Sequence, residues 1–228
     1  MESVDVAVVG GGPAGTSAAW AAAEGGADVL VVEKGVPRAD RDGLGPDSTD
    51  AAGMLDYWID LMDFDPGEIP EDVILRRLDG ADFFGPEETL AIDDTGIDAT
   101  YQDFGFAFHR ARFDDWLREE AEAAGANYHV GDSVTGVDSD ISGDSTRDHR
   151  HTIGLSNGEE IEAEYLVLAD GPQRTVTLEA LDQFVAEGRS MADHLDPTEA
   201  NHIAYQEHRE VPEELYEPSR IEFWWGVM

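Results

Sequence analysis

An α/β fold that opens on a strand, a glycine turn, a helix and a second strand is predicted by three observations. Residues 4–9 (Val-Asp-Val-Ala-Val-Val) are an apolar, β-branched run that breaks into Gly10-Gly11-Gly12-Pro13-Ala14-Gly15. An alanine-rich helical stretch, Ala14 to Glu24, follows and stops at Gly25-Gly26. A second apolar run, Val29 to Val32, ends in Glu33, 18 residues past Gly15. Strand, G-x-G-x-x-G turn, helix, strand and acid in this order form the Rossmann dinucleotide fingerprint. Gly10 permits the tight turn, Gly12 lets the backbone approach a pyrophosphate, and Gly15 lets the helix sit close to the sheet. Pro13 suits a first helical turn, where its missing N–H is not needed. The free N–H groups and positive dipole end of the helix then face the phosphates. A carboxylate at Glu33 matches ribose hydroxyls and disfavours the ribose 2′-phosphate of NADP.

The elements behind the fingerprint follow from period and punctuation. Residues 34–50 read as a loop near the cofactor, with Gly35, Pro37, Gly43, Gly45 and Pro46. Met54, Leu55, Trp58, Ile59 and Met62 have helical spacing and predict a helix over 50–63 with that stripe in the core. Short strands are expected at Val73–Leu78, Thr89–Ile92 and Phe104–Phe108, separated by Gly, Pro and Asp. A β-rich stretch here breaks the βαβ rhythm and signals a second, inserted domain. An amphipathic helix, Phe113 to Ala124, buries Phe113, Trp116, Leu117 and Ala121 and stops at Gly125. Strands follow at Asn127–Val130 and from Val134, then a polar tip over 138–150. A hairpin with an Asn157-Gly158 turn joins His151–Leu155 to Glu160–Ala163. Tyr165–Ala169 reads as a separate buried strand and Leu178–Glu187 as a helix. Residues 195–219 read as irregular. Ile221–Trp225 reads as a last strand, which either pairs as an edge with the earlier strands or marks the chain as a fragment; the fragment is favoured. The domain expectation is 1–71 and 109–190 for the nucleotide domain, with 72–108 and 191–228 for a partly present second domain.

Composition sets the outer limits. With 228 residues the chain can bury a substantial core. It carries 51 acidic against 14 basic residues, a net charge of −37, and Lys34 is its only lysine. The acids are spread throughout the chain, which points to a halophilic cytoplasm rather than to an acidic docking patch. At molar salt the Debye length is about 3 Å, so the self-repulsion is largely screened. With no basic stripe, nucleic acid is not an expected partner. The chain has no cysteine, which removes disulfides and thiolate chemistry. No segment has the ~18 uncharged apolar residues of a membrane span. A soluble, cytoplasmic protein is expected, with a substrate at the membrane periphery left open. His149-Arg150-His151 has no third ligand at useful spacing, so no metal is assigned. His109 is the histidine nearest a candidate site, but no catalytic residue is assigned.

Three spaced blocks give the chain a resemblance to a known family. They are Gly10–Gly15 with Glu33-Lys34, the helix start Arg110-Ala-Arg112-Phe113-Asp114-Asp115-Trp116-Leu117, and Tyr165-Leu-Val-Leu-Ala-Asp170-Gly171. In this order they resemble the FAD-dependent oxidoreductases of the geranylgeranyl reductase and aromatic hydroxylase superfamily, over about residues 4–185. The resemblance implies FAD as cofactor, with Gly10, Gly12, Pro13, Ala14 and Gly15 around its pyrophosphate and Glu33 and Lys34 at the adenosine ribose. It further implies Gly45 in the cofactor loop, Arg110 toward the phosphate or adenine side, and the Val134 backbone against the adenine. Asp170-Gly171 would sit between flavin and substrate domain. Arg110 reads equally as an anion clamp and as a surface ion pair. Two departures stand out: no second Gly-Asp motif or flavin-closing helix precedes Met228, and the Arg41–Pro46 loop has no cysteine. They imply an incomplete isoalloxazine site and make lipid reduction doubtful.

The leading expectation is thus an FAD-dependent reductase or dehydrogenase, geranylgeranyl reductase-like, that passes hydride through flavin N5. It would act on a small molecule or an isoprenoid or lipid, with NAD(P)H or ferredoxin as redox partner. An aromatic-type FAD monooxygenase and a non-catalytic dinucleotide-binding module are the alternatives.

Overall fold

A computed structural model describes residues 2–36, 52–62, 65–140, 150–195 and 209–226. Gly45, the rest of residues 37–51 and His149 lie outside the described residues. In chain order the elements are β1 (Glu2–Val9), α1 (Pro13–Glu24), β2 (Val29–Glu33), β3 (Ala52–Leu55) and α2 (Asp56–Met62). Then come β4 (Ile74–Leu78), β5 (Gly80–Phe84), β6 (Thr89–Ile92), β7 (Gly105–Phe108) and α3 (Arg110–Ala124). The remainder is β8 (Asn127–Val130), β9 (Val134–Ser139), β10 (His151–Leu155), β11 (Glu160–Leu168), α4 (Thr175–Asp182) and β12 (Arg220–Trp224).

The chain divides into two compact units, Met1–Leu44 with Leu117–Ala204, and Gly45–Trp116 with Tyr205–Met228. The two therefore alternate along the chain, each built from two segments. The boundaries of the second differ from those expected at 72 and 109: it begins at Gly45 and takes the first half of α3.

The first unit is a six-stranded sheet in the order β8-β2-β1-β11-β10-β9. Its first four strands run parallel, and β10 and β9 are antiparallel additions. The register Val6↔Val29, Ala7↔Leu30, Val8↔Val31 sorts the valines by pleat. Val6, Val8, Val29 and Val31 share one face with Ala19, Ala23 and Ala121 of the helices. Ala7, Leu30 and Val32 share the other with Ile153, Leu155 and Ile161 of the hairpin strands. Residues on both faces are therefore buried, as a parallel sheet requires. Each fully buried valine or leucine contributes about 1.5–3 kcal/mol. On the helix side alanine, rather than a larger residue, lets α1 and α3 approach the sheet.

The second unit holds two three-stranded sheets, β12-β5-β6 and β3-β7-β4. Phe106, Phe108, Phe113 and Trp116 form its chain of aromatic contacts.

Several sequence expectations are corrected. The helix expected over 50–63 is split, because Met54 and Leu55 pair with Phe106 and Gly105 in β3. The Asp56 amide still donates to Phe104 O at 3.1 Å, and only from there does the chain coil. Ile59 is fully buried, whereas Trp58 and Met62 are 42% and 38% exposed and do not belong to a core stripe. β5 escaped notice because Gly80 and Asp82 look like breakers. Both answer to Arg220, 138 or more residues away in the chain. A Cβ at Gly80 would stand 2.6 Å from its Nη1, and Asp82 accepts from its Nε at 2.8 Å.

The strands read at 160–163 and 165–169 are one continuous β11, unbroken at Glu164, which pairs with Arg150 on β10's flank at 2.9 Å. Tyr165 is 62% exposed, not buried. The Asn157-Gly158 turn is a three-residue loop: Gly158 has φ +88° and its N–H donates to Leu155 O, the type I turn plus left-handed residue of longer hairpins. α4 begins at Thr175 and ends at Asp182, earlier than expected at both ends. β12 pairs in parallel with β5, Phe223 beside Phe83 and Trp224 beside Phe84, which is the edge pairing left open by the sequence.

Candidate cofactor site

In the parallel strands β8, β2, β1 and β11 every carboxyl end lies along one edge of the sheet. The chain leaves β1 toward β2 on one side, while β11 flanks β1 on the other. Ligands of open α/β sheets bind outside the carboxyl ends at such a switch point. The glycine turn and Asp170-Gly171 meet there: Ala169 N–H donates to Val9 O at 2.8 Å. The turn itself is so close to β11 that a Cβ at Gly10 would stand 2.3 Å from Ala169 O. Gly10 has φ +99°, so both backbone and space demand glycine.

The three fingerprint glycines are not equivalent. A Cβ on Gly15 would lie 1.9 Å from Gly10 O and 3.2 Å from Val8 Cγ1, so Gly15 is where the helix touches the strand. A Cβ on Gly12 would meet nothing within 4 Å. Gly12 therefore borders open space, the cradle that a pyrophosphate would fill. α1 starts on it in extended conformation, with Pro13 in the first turn, no side-chain cap and no acid in that turn. Its first N–H groups are left for an outside acceptor. α4 provides the contrast. Asp170 accepts from the Val176 and Thr177 amides at 2.7 and 3.2 Å and from the Thr177 hydroxyl. One helix end at this edge is self-capped and the other is open to an anion. The donor set fits the diphosphate of a dinucleotide.

Glu33 ends β2 half-buried. Its Oε2 accepts from Gly11 N–H at 2.7 Å and its Oε1 from Gly35 N–H at 2.6 Å. Each oxygen retains a lone pair for a ribose hydroxyl. Lys34 is exposed. Gly131, in the β8–β9 connection, donates to Glu33 O and Gly35 O. That connection leads to Val134, whose side chain packs against the hairpin-side core. Nearby Asp132 is buried, bonded to the Ser156 hydroxyl and the Ser133 amide, with His129 Nε2 at 3.5 Å. The Ser156 hydroxyl foremost, then the Ser133 amide and His129, hold its carboxyl below the usual range against the cost of burial.

Arg110 belongs to the second unit, where its Nε pairs with Asp114 Oδ1 at 2.7 Å along α3. The ion pair that the sequence offered as one of two readings is thus formed. His109 precedes it, taking up the helix start through Phe113 N–H to its carbonyl. Sequence reasoning missed Thr16 and Ala169. Thr16 is 2% exposed, and its hydroxyl donates to Gly11 O at 3.1 Å. Two adjacent hydroxyl residues, Thr16-Ser17, placed directly after the last fingerprint glycine were the available signal.

Known proteins resemble this chain in sequence and fold. Residues 5–88 match the FAD binding domain family. Protein FixC of Salmonella typhi is 30% identical over 203 residues, 88% of this chain and 41% of its own length. Digeranylgeranylglycerophospholipid reductase 1 of Methanothermobacter thermautotrophicus is 30% identical over 181 residues, 77% of this chain and 41% of its own. The chain thus spans about two-fifths of the length of these two relatives. A geranylgeranyl bacteriochlorophyll reductase-like structure from Thermoplasma acidophilum shares the fold. Its TM-score is 0.57 at 24% identity, over 77% of this chain and 41% of that one. Residues 5–88 are thus similar to FAD binding domains, and the chain is similar to part of the digeranylgeranylglycerophospholipid reductases.

Proposed function

We propose that the protein is an FAD-dependent oxidoreductase of the geranylgeranyl reductase type, acting on an isoprenoid or other lipid substrate. The observation that carries the proposal is the open side of Gly12 at the switch point, beside an uncapped helix N-terminus and the Glu33 carboxylate. In this reading the Gly10–Gly15 turn and the first N–H groups of α1 bind the diphosphate, and Glu33 accepts from the adenosine ribose with Lys34 beside it. The Val134 backbone borders the adenine, and Asp170-Gly171 orients the flavin end. By resemblance alone, Gly45 and Arg110 are further proposed cofactor residues. Bound FAD supplies hydride exchange at flavin N5. NAD(P)H or ferredoxin is the proposed electron donor. Among the described residues no helix is long and apolar enough to cross a membrane. A cytoplasmic protein that meets its lipid at the membrane surface is the matching location, and the −37 charge suits a cytoplasm of high salt.

The test is the absorption spectrum of protein purified in molar KCl, followed by anaerobic mixing with an unsaturated isoprenoid and a reductant. Flavin bands near one per chain, bleached by the reductant and restored by the isoprenoid, are expected. Tightly bound NAD in place of flavin would overturn the reading. Flavin-dependent oxygen uptake with NADPH, without isoprenoid turnover, would move the assignment to a monooxygenase.

A further inference from the structure

We propose that Thr16 is a positioning residue for the cofactor turn, holding the Gly11 peptide with Glu33 in the orientation that receives a diphosphate. The functional half of this proposal rests on the FAD reading above. Gly10-Gly11-Gly12 has no side chain to restrict its backbone, and glycine peptides explore far more conformations than others. Yet the Gly11 residue is gripped at both polar groups. Its N–H donates to Glu33 Oε2 at 2.7 Å, and its carbonyl accepts from Thr16 Oγ1 at 3.1 Å. Thr16 is anchored in turn, its own N–H donating to Gly12 O at 2.9 Å. The side chain is 2% exposed, so bulk solvent does not compete for the hydroxyl, whose other polar neighbour is the Tyr128 side chain.

The direction of the bond gives it consequence. A threonine inside a helix commonly returns its hydroxyl to the carbonyl four residues back. Here it reaches five back, past the helix start at Pro13 and into the turn. It draws the Gly11 carbonyl toward the helix body. Released, that carbonyl is free to rotate toward the open side of Gly12, where its partial negative charge would oppose a phosphate. Thr16 thus preorganises the turn before the cofactor arrives, and the ordering cost is met in folding rather than in binding.

The experiment compares the native protein with Thr16→Val, which keeps shape and removes the hydroxyl, and Thr16→Ser, which keeps the hydroxyl. Two readouts are taken in molar KCl: amide hydrogen exchange of residues 10–16 in the FAD-free protein, and the Kd for FAD by flavin fluorescence. Thr16→Val is expected to exchange faster at Gly11 and to bind FAD about fivefold more weakly, the equivalent of one hydrogen bond. Thr16→Ser is expected to stay near native in both. Native exchange or native FAD affinity in Thr16→Val would overturn the proposal, as would a Thr16→Ser variant as impaired as Thr16→Val. If Thr16→Val does not fold, Thr16→Ala supplies the hydroxyl-free arm. Should the native protein bind no FAD, the cofactor reading fails by itself, and the exchange readout still decides whether Thr16 holds the turn.

Discussion

The two units solve the same problem, fixing short strands, by opposite means. The first relies on a mainly parallel sheet with buried residues on both faces, its valines, alanines and leucines packed together. The second relies on short strands, stacked aromatics and a charged clasp. Phe83 stacks on Phe223 at 4.7 Å and Phe84 on Trp224 at 4.2 Å. Arg220, 15% exposed at its side chain, joins Asp82 at 2.8 Å and Asp93 at 2.7 Å, and bonds the Ala81 and Ile92 carbonyls. Trp224 and Trp225 remain 57% and 62% exposed. Where packing is dense the sequence has little freedom at single positions. Where a clasp holds the sheet, the constraint falls on a few polar residues far apart in the chain.

The largest effect is expected inside the glycine turn. Gly15→Ala places a Cβ 1.9 Å from Gly10 O and should destabilise the first unit by about 3 kcal/mol, the upper range for overpacking. Thermal unfolding of the FAD-free protein measures it. Gly12→Ala meets no protein atom and should melt like the native chain. Equal stability of the two variants would break the distinction drawn between a packing glycine and a ligand-facing one.

Arg220→Met should act next most strongly and only on the second unit. It leaves Asp82 and Asp93 without their cation, and amide exchange should rise across β5, β6 and β12 while β1 and β2 stay protected. Uniform loosening of both units would contradict the separation.

Glu33→Ala should weaken FAD binding by about 1.5–3 kcal/mol, the range for hydrogen bonds to a charged group. It also frees the Gly11 and Gly35 amides. Calorimetric titration checks it, and a Kd matching the native value would remove Glu33 from the site.

The smallest effect concerns acid stability. The Asp132 carboxyl is held below its usual pKa, chiefly by Ser156. A depressed folded-state pKa contributes stability that is full above the unfolded carboxylate range and is lost as pH falls through the folded value. Ser156→Ala removes the main cause, so the acid unfolding midpoint should move to higher pH with little change in its shape. An unmoved midpoint would show that Asp132 is held by its other partners.

The same contrast explains what the sequence made legible. β1, α1, β2 and the buried face of α3 are encoded locally, by β-branched runs, an alanine helix and residues at i, i+3, i+4, and they stand where they were expected. β5 was invisible because its apparent breakers, Gly80 and Asp82, respond to an arginine near the other end of the chain. The helix expected over 50–63 failed because Met54, Leu55, Trp58 and Ile59 fit a helical period while β7 draws the first two into a sheet. In the site, spacing marked the glycines and Glu33. It could not reveal that Asp170 is occupied in capping α4, or that Thr16 reaches back to Gly11, since both depend on how strand ends meet at the sheet edge.

The central claim, that the turn at Gly10–Gly15 cradles the diphosphate of FAD from the open side of Gly12, is tested most directly by one titration. FAD is added to native protein and to Gly12→Val in molar KCl, with the fold of each followed by far-ultraviolet circular dichroism. Saturable binding near one FAD per native chain, and none to a folded Gly12→Val, is the expected result. Equal FAD binding by the two folded proteins would place the cofactor elsewhere.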